Sequence, residues 1–404
     1  MPTESSYKVS DADSKTCQSD FWRANKWFFF VCRLNGCCVV TEPRQKVLRG
    51  FLKIHSLTVT TLFAGNLILW TKTIFDNPLV LNDALLFRIL FCLLFSASIV
   101  NQFHCHYAFR QLEKHENFVN KFSFFFKQSK KRAMSLSCYL IFVVTLIPAT
   151  GSATAVACTF GGAKFAVNLD IFSSNYIGYF FLTLSIFLSL GSVIIVVALQ
   201  TLMAVTAQAA VSSFNQEALQ FSPTTIDILR IKRLHREAMF CVQIIVDTWA
   251  WYYLRVSGFM VTIICCGLFA LTTDAEKITK LNATQWILAC VLILLAAVIP
   301  PVFLNEEAQK SPVCVIERLE YLENSNANSL TSVNQDIMAL VKYMELKTVH
   351  VTAASVFTFK RGTILTIASV IIGYFIIILQ LAERNEVHCK CLCLNLSTVD
   401  NYTL

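Results

Sequence analysis

Seven apolar runs, each long enough to cross a lipid bilayer, constrain this chain more than any other feature. They cover residues 54–75, 84–103, 135–156, 176–205, 252–272, 283–303 and 362–381. A helix needs about 20 apolar residues to cross the hydrocarbon core, where only helices and closed barrels satisfy their own backbone groups. We therefore predict an all-α, polytopic membrane protein with seven transmembrane helices.

The composition supports a membrane protein. Of the 404 residues, 55% are hydrophobic and only 15% are charged, whereas a soluble domain carries about 25% charged residues. The net charge of +8 indicates basic cytoplasmic loops rather than a nucleic-acid site,. Membrane lipid is therefore an expected partner, and nucleic acid is not.

Lysine and arginine are distributed unequally between the two sides of the predicted bundle. The side that carries the N-terminus has 26 of them and the opposite side has six. Basic loops stay in the cytoplasm, which predicts a cytoplasmic N-terminus and an extracellular C-terminus. Three glycosylation sequons, at Asn282, Asn395 and Asn401, all fall on the external side,.

The runs divide the chain into five segments. Residues 1–53 are a cytoplasmic segment, in which the short apolar run 27–40 is predicted to be an interfacial or re-entrant helix. Helices 1–6 follow at 54–302, with helices 4–6 extending into the cytoplasm, and Pro300-Pro301 marks the cytoplasmic end of the sixth span. The remaining segments are a cytoplasmic segment (303–361), the last helix (362–381) and a short extracellular tail (382–404).

The cytoplasmic segment contains a helix with apolar residues alternating by three and four. The helix is predicted over 329–350, and its heptad positions are Leu330, Val333, Ile337, Leu340 and Met344,. Two alternatives remain open for this face: it packs on its own chain, or it contacts another subunit beneath the membrane.

The last helix and the residues before it contain a short sequence motif. Phe357 lies in a segment of small residues and phenylalanines that precedes the helix, and the helix ends with Tyr374, five hydrophobic residues and Gln380. This pattern resembles the signature of the invertebrate gustatory receptor family. Tyr374 lies about a third of a turn from the Gln380 face, so we expect it to pack against another helix.

The chain departs from the family pattern at several positions. Gly373 stands where threonine is usual and Leu381 where phenylalanine is usual. Ser355 replaces a usual glycine, and Lys360 a usual aspartate or asparagine. Phe375 follows the tyrosine where members that detect common sugars carry glutamate, which argues against a sugar ligand.

The resemblance implies a ligand-gated, non-selective cation channel for chemosensation. It implies a homo- or hetero-tetramer in the plasma membrane of sensory neurons. In this family the last helix lines a central pore, the cytoplasmic ends of helices 4–7 form an anchor, and a small-molecule ligand binds among the first six helices from outside. No enzymatic activity, cofactor or metal is expected.

Polar and small residues on the last helix indicate where the pore lies. Thr366, Gly373 and Gln380 are spaced by seven and share nearly one face,. Four copies would place a ring of amides near the outer mouth, and a neighbouring apolar ring of Ile377 or Leu381 would exclude water. We predict that Gln380 and Leu381 form the gate. Alternatively, Gln380 hydrogen-bonds to a neighbouring helix.

Aromatic and charged residues near the external ends of the spans are candidates for the ligand pocket. An aromatic belt at the lipid interface would also explain the aromatic side chains. Arg88 has three alternatives: it reaches the lipid interface, it forms an ion pair, or it contacts a ligand. The candidates are Trp70, Arg88, Tyr176, Tyr179 and Trp286.

Two other functions are compatible with seven spans. The first is a light- or peroxide-responsive sensory receptor on the same scaffold. The second is a transporter or a non-conducting seven-helix protein. Transporters often contain internal repeats, and the sequence shows none.

Overall fold

The computed structural model of the chain is almost entirely helical. It describes residues 26–36, 46–75, 83–123, 175–221, 224–272, 277–325, 331–377 and 379–380. The elements in chain order are α1 (Lys26–Leu34), α2 (Lys46–Phe75), α3 (Asp83–Ser123), α4 (Asn175–Ala218), α5 (Thr225–Thr272), α6 (Lys277–Ser325), α7 (Thr331–Lys347), β1 (Thr352–Ala353), β2 (Phe357–Thr358) and α8 (Arg361–Ile377). Strands β1 and β2 pair in an antiparallel hairpin between α7 and α8.

Six of the seven predicted spans coincide with these helices, and the third, 135–156, lies outside the described residues. Among the described residues, four helical segments are long and apolar enough to cross a membrane: Gly50–Lys72, Leu184–Ala218, Ile226–Phe269 and Ala283–Leu322. The most apolar window of the α4 segment is 89% buried, against 22% for the α2 segment. Helix α4 is therefore the central helix of the bundle, and α2 lies at its periphery.

Helices α4, α5 and α6 are much longer than a membrane span requires. They contain 44, 48 and 49 residues, and at about 1.5 Å per residue each is more than twice as long as the hydrocarbon core is thick. Charged residues are concentrated in parts of these helices, such as 230–237 on α5. Together with α7 and the hairpin they form a bundle that we name the stem (residues 206–221, 224–251, 304–325 and 331–360).

Helix α7 packs its apolar face on its own chain. Ile337, Leu340 and Met344 are all buried, at 3% exposure or less, against α5 and α6. The first of the two alternatives for this face is therefore the one observed. Leu330 lies outside the described residues, as does the side chain of Val333.

Helix α6 continues through Pro300 and Pro301, the pair predicted to mark the cytoplasmic end of the sixth span, and ends at Ser325. A proline has no N–H, so these two leave the carbonyls of Ala296 and Ala297 without main-chain donors. Side chains of α4 supply the missing donors from across the helix interface. The sequence of α6 alone could not predict these donors, because they come from α4.

The short helix α1 is inserted into the bundle. Phe29 and Cys32 are almost fully buried, and the Gln102 side chain on α3 donates a hydrogen bond of 2.7 Å to the Asn35 carbonyl. Gly36 follows with φ of 80°, and a Cβ there would lie 3.1 Å from that of Val59. This packing agrees with a re-entrant segment rather than a helix lying on the surface.

Candidate pore helix and ligand pocket

Helix α8 contacts the rest of its chain along a single narrow stripe. Among the described residues from 361 to 380, all positions outside this stripe are exposed. Residues four apart lie on the same side of an α-helix, so the remaining sides of α8 are uncovered. The partly covered residues of the stripe are Thr363, Ile367, Ile371, Phe375 and Leu379.

The uncovered sides of α8 are mostly apolar. Leu365 is 73% exposed, Ile372 is 59% exposed and Ile377 is 51% exposed. A continuous apolar surface of this kind marks a contact with lipid or with another protein. In a single chain, therefore, α8 presents a surface that needs a further partner.

The predicted pore residues lie on these uncovered sides. Thr366, Gly373, Ile377 and Gln380 are all exposed. A Cβ atom built on Gly373 would meet no atom of the described structure within 4 Å. Gly373 and Gln380 of the row predicted from the sequence therefore face away from their own chain, whereas Thr366 also lines a groove between α5 and α8. Leu381, the other predicted gate residue, lies outside the described residues.

Tyr374 and Phe357, the two matching motif residues, line a groove between α5 and α8. The groove has a volume of about 600 Å³, and residues from Leu254 to Cys266 form its α5 wall. Tyr374 is still 56% exposed. The expectation that it faces another helix rather than the row of Gln380 agrees with this position.

Asn305 of α6 fastens the hairpin that leads into α8. Its Nδ2 donates to the Phe359 carbonyl at 2.9 Å, and its Oδ1 accepts from the Val351 amide at 3.0 Å. The Phe359 ring is fully buried and meets the ring of Tyr253 edge-on, with centroids 4.8 Å apart. Helix α6 thus holds both ends of the hairpin immediately before α8 begins.

A small apolar pocket lies in the part of the bundle that contains the predicted spans. Its walls come from four helices, with Leu94 on α3, Val193 on α4, Met260 on α5 and Trp286 on α6 among the lining residues. Its free volume is about 10 Å³, which is close to the space that one water molecule needs. An organic ligand would enter this pocket only if its walls moved apart.

The structure places the predicted ligand residues at different points. Trp286 lines the pocket, and within the described part of the chain its buried indole nitrogen has no hydrogen-bond partner. Trp70 instead stacks on Phe91 at 4.8 Å, and Arg88 is partly buried on α3. Tyr176 and Tyr179 belong to α4, but their side chains lie outside the described residues.

The sequons are only partly covered by the structure. Asn282 lies near the start of α6, with its side chain outside the described residues, and Asn395 and Asn401 lie outside them altogether.

Two interior polar groups, one buried and one partly buried, were not predicted from the sequence. Gln200 on α4 bridges α5 and α6, and the proline pair of α6 is the sequence signal that could have indicated the need for it. Arg255 on α5 donates to the Asn101 amide oxygen at 3.0 Å and lies over the Tyr252 ring. Interior polar residues of this kind mark functional positions in membrane proteins.

Comparisons with known proteins relate the fold to chemoreceptors. No protein-family model matches the sequence, and no curated protein matches it either. The fold is similar to that of the insect olfactory receptor OR5 from Machilis hrabei, with a TM-score of 0.70 and 15% sequence identity over 90% of this chain and 100% of that one. The same receptor in complex with eugenol gives a TM-score of 0.70 and 14% identity with the same coverage.

At this level of identity the similarity concerns the fold. The chain therefore shares the fold of an insect olfactory receptor, which agrees with the resemblance to a chemoreceptor family seen at the last helix. The chain is accordingly a multi-pass membrane protein.

Proposed function

We propose that this chain, which has the fold of an insect olfactory receptor, is a subunit of a chemosensory, ligand-gated, non-selective cation channel. The observation that carries the proposal is the exposure of α8. This helix is apolar on most sides, carries a row of small and polar residues, and contacts its own chain along one stripe only. A helix at the axis of an oligomer needs these properties.

The proposed assembly is a homo- or hetero-tetramer. Helix α8 of each subunit lines the central pore, with Gln380 and Leu381 as the gate near its outer end. The stem lies in the cytoplasm and forms the anchor, within segment 303–361 and the extensions of helices 4–6. The N-terminal segment 1–53 is cytoplasmic, and the tail 382–404 is extracellular in the plasma membrane of a sensory neuron. In this orientation the sequons at Asn282, Asn395 and Asn401 face outside.

The proposed ligand is a small, mostly apolar organic molecule with a hydrogen-bond acceptor. The pocket walls are almost entirely apolar, and Trp286 contributes one buried N–H donor that is unsatisfied within the described structure. A few polar groups in an apolar pocket orient a ligand. Eugenol, which the Machilis hrabei receptor binds in its complex, is a suitable first probe because it combines an aromatic ring with oxygen acceptors.

Current recording from cells that express the chain tests the proposal. A panel of small organic compounds, with light and peroxide as separate stimuli, should evoke a cation current through the wild-type protein. A current evoked by light or peroxide alone would favour the alternative sensory function. Expression at the cell surface without any current would count against a channel.

Substitutions in α8 then test the pore. Gln380→Ala and Leu381→Ala should change gating or ion selectivity, because both residues would meet permeating ions at the gate. Ile372→Ala is the matched control, since Ile372 is exposed on α8 but lies about 100° around the helix from Gly373,. Unchanged gating and selectivity in both gate variants would contradict the assignment of α8 as the pore helix.

A further inference from the structure

The two prolines in α6 are matched by two hydrogen-bonding side chains on α4. In an α-helix the N–H of residue i bonds to the carbonyl of residue i−4, so Pro300 and Pro301 leave the carbonyls of Ala296 and Ala297 unpaired. The Thr201 hydroxyl donates to the Ala296 carbonyl at 3.2 Å. The Gln200 amide donates to the Ala297 carbonyl at 3.1 Å.

Both donors lie in the interior of the bundle. Gln200, Thr201 and Ala297 are fully buried, where an unpaired carbonyl has no water to replace its missing partner. Adjacent residues of α4 thus satisfy adjacent carbonyls of α6. The pairing holds the proline-containing part of α6 in one geometry against the central helix.

The Gln200 amide also leads towards the pore helix. Its Nε2 donates a second hydrogen bond, of 3.3 Å, to the Tyr253 hydroxyl on α5. The Tyr253 ring packs on Phe359, which is two residues before α8 begins and is held by Asn305. Contacts between fully buried groups therefore run from the α6 prolines to the start of α8.

The prolines divide α6 into two parts with different tasks. The part before them carries Trp286 and Ile293 in the wall of the ligand pocket. The part after them carries Asn305, which fastens the hairpin in front of α8. Proline is the usual site of a helix bend. A bend at this point would connect movement of the pocket wall to movement of the pore helix.

We propose that Gln200 and Thr201 form a latch that holds the α6 proline hinge in the geometry in which the ligand pocket is closed, and that releasing the latch favours channel opening. This inference rests on the proposed channel function. Ligand binding requires the pocket walls to part, so it works against the latch. The two side chains are positioning residues that act through α6 and contact neither the ligand nor the ions.

Removing the latch should make the channel easier to open. Gln200→Leu and Thr201→Val delete the donors and keep the approximate side-chain volume. We expect ligand concentrations for half-maximal current to fall about tenfold, with a larger ligand-independent current, because a buried hydrogen bond contributes about that factor. Thr248→Val is the control, since Thr248 is buried but its hydroxyl bonds to Ile244 of its own helix.

A second set of variants tests whether the prolines are the reason for the latch. Pro300→Ala with Pro301→Ala restores main-chain donors to the two carbonyls. In that background Gln200→Leu and Thr201→Val should have little further effect, so the combined changes should be strongly non-additive. Additive effects would show that the two side chains act independently of the hinge, which would overturn the proposal.

Hydrogen exchange of the full-length protein separates this inference from the channel function. Exchange at the α6 amides of residues 302–308 should become about tenfold faster in Gln200→Leu and Thr201→Val, and should stay unchanged in Thr248→Val. If the wild type carries no current, the channel function fails while exchange still reports on the hinge. Unchanged exchange in both variants would exclude the latch. Faster exchange with unaltered gating would reduce it to structural support and would also overturn the proposal.

Discussion

Arg361, the first residue of α8, is bound by both oxygens of Glu306 on α6. Its Nε donates to Oε1 at 2.7 Å and its Nη2 donates to Oε2 at 3.0 Å. Glu306 directly follows Asn305 in the chain. About one turn after its proline pair, helix α6 therefore makes two polar contacts towards α8. The Asn305 amide binds the hairpin before α8, and the Glu306 carboxylate binds Arg361.

Reversing this ion pair should alter channel gating much more than protein stability. Arg361 is 81% exposed and Glu306 is 25% exposed, and an ion pair that is open to water contributes little to stability,. Glu306→Arg and Arg361→Glu should each shift the ligand concentration for half-maximal current, because each places like charges at the α6–α8 junction. The combined exchange should restore most of the wild-type response. A double variant that performs no better than either single one would contradict a direct role of the pair.

The pair should also resist mild acid. The hydrogen bonds from Arg361 hold the pKa of Glu306 below its ordinary value. A carboxyl with a lowered pKa keeps its stabilising contact above the ordinary pKa and loses it only as the pH falls through the lowered value. The substitution Glu306→Gln should therefore change the ligand concentration for half-maximal current by the same factor at pH 7 and at pH 5.5. An effect of Glu306→Gln that is present at pH 7 and absent at pH 5.5 would contradict this prediction.

Ser355→Gly should stabilise the hairpin before α8. Ala354 and Ser355 occupy the turn with φ of 48° and 61°, a left-handed conformation that costs about 1 kcal/mol for a residue with a Cβ. Glycine has no Cβ and therefore removes that cost. Thermal unfolding in detergent should show a higher midpoint for Ser355→Gly. Val356→Gly, one residue later and outside the left-handed region, should lower it.

His235 should make the stem sensitive to acid. It is fully buried between the rings of Phe214 and Tyr343, and neither ring nitrogen has a partner among the described residues. Burial lowers the pKa of His235 from 6.5 to about 4. Between these values the unfolded chain binds a proton that the folded chain excludes, so stability is complete above pH 6.5 and falls progressively towards pH 4.

The effect is large enough to measure by thermal unfolding at several pH values. A shift of this size corresponds to about 3 kcal/mol across the whole interval. His235→Phe keeps an aromatic ring in the site and removes the titrating group. Its unfolding midpoint should therefore fall less between pH 7 and pH 5 than that of the wild type. Equal losses in the two proteins would mean that His235 does not carry the acid sensitivity.

Trp286→Phe should weaken the response to ligands that accept a hydrogen bond. The substitution keeps an aromatic ring in the pocket and deletes the buried N–H, which has no partner in the described part of the chain. Half-maximal currents should require up to about tenfold more of an acceptor ligand, whereas the unfolding midpoint should change little. Trp70→Phe is the control outside the pocket. An equal loss for a ligand without an acceptor would contradict hydrogen bonding by Trp286.

The spans and the outward row of α8 could be predicted because both depend on nearby residues. Hydropathy over about 20 consecutive residues decides which segments prefer lipid, and six predicted spans reappear as helices. The spacing of Thr366, Gly373 and Gln380 places them on one face by helix geometry alone. Likewise, the spacing of Ile337, Leu340 and Met344 predicts an apolar face for α7.

The partners of those faces, and the path of α6 through its prolines, were decided only by the tertiary structure. Prolines in a helix interior usually kink or end the helix. Helix α6 continues through Pro300 and Pro301 because Gln200 and Thr201, about 100 positions away in the sequence, supply the missing donors. The α7 face turned to its own chain, whereas most of α8 stayed uncovered. A sequence pattern states which surface a helix must bury, but the neighbour that buries it is chosen by the energy of the whole packed bundle.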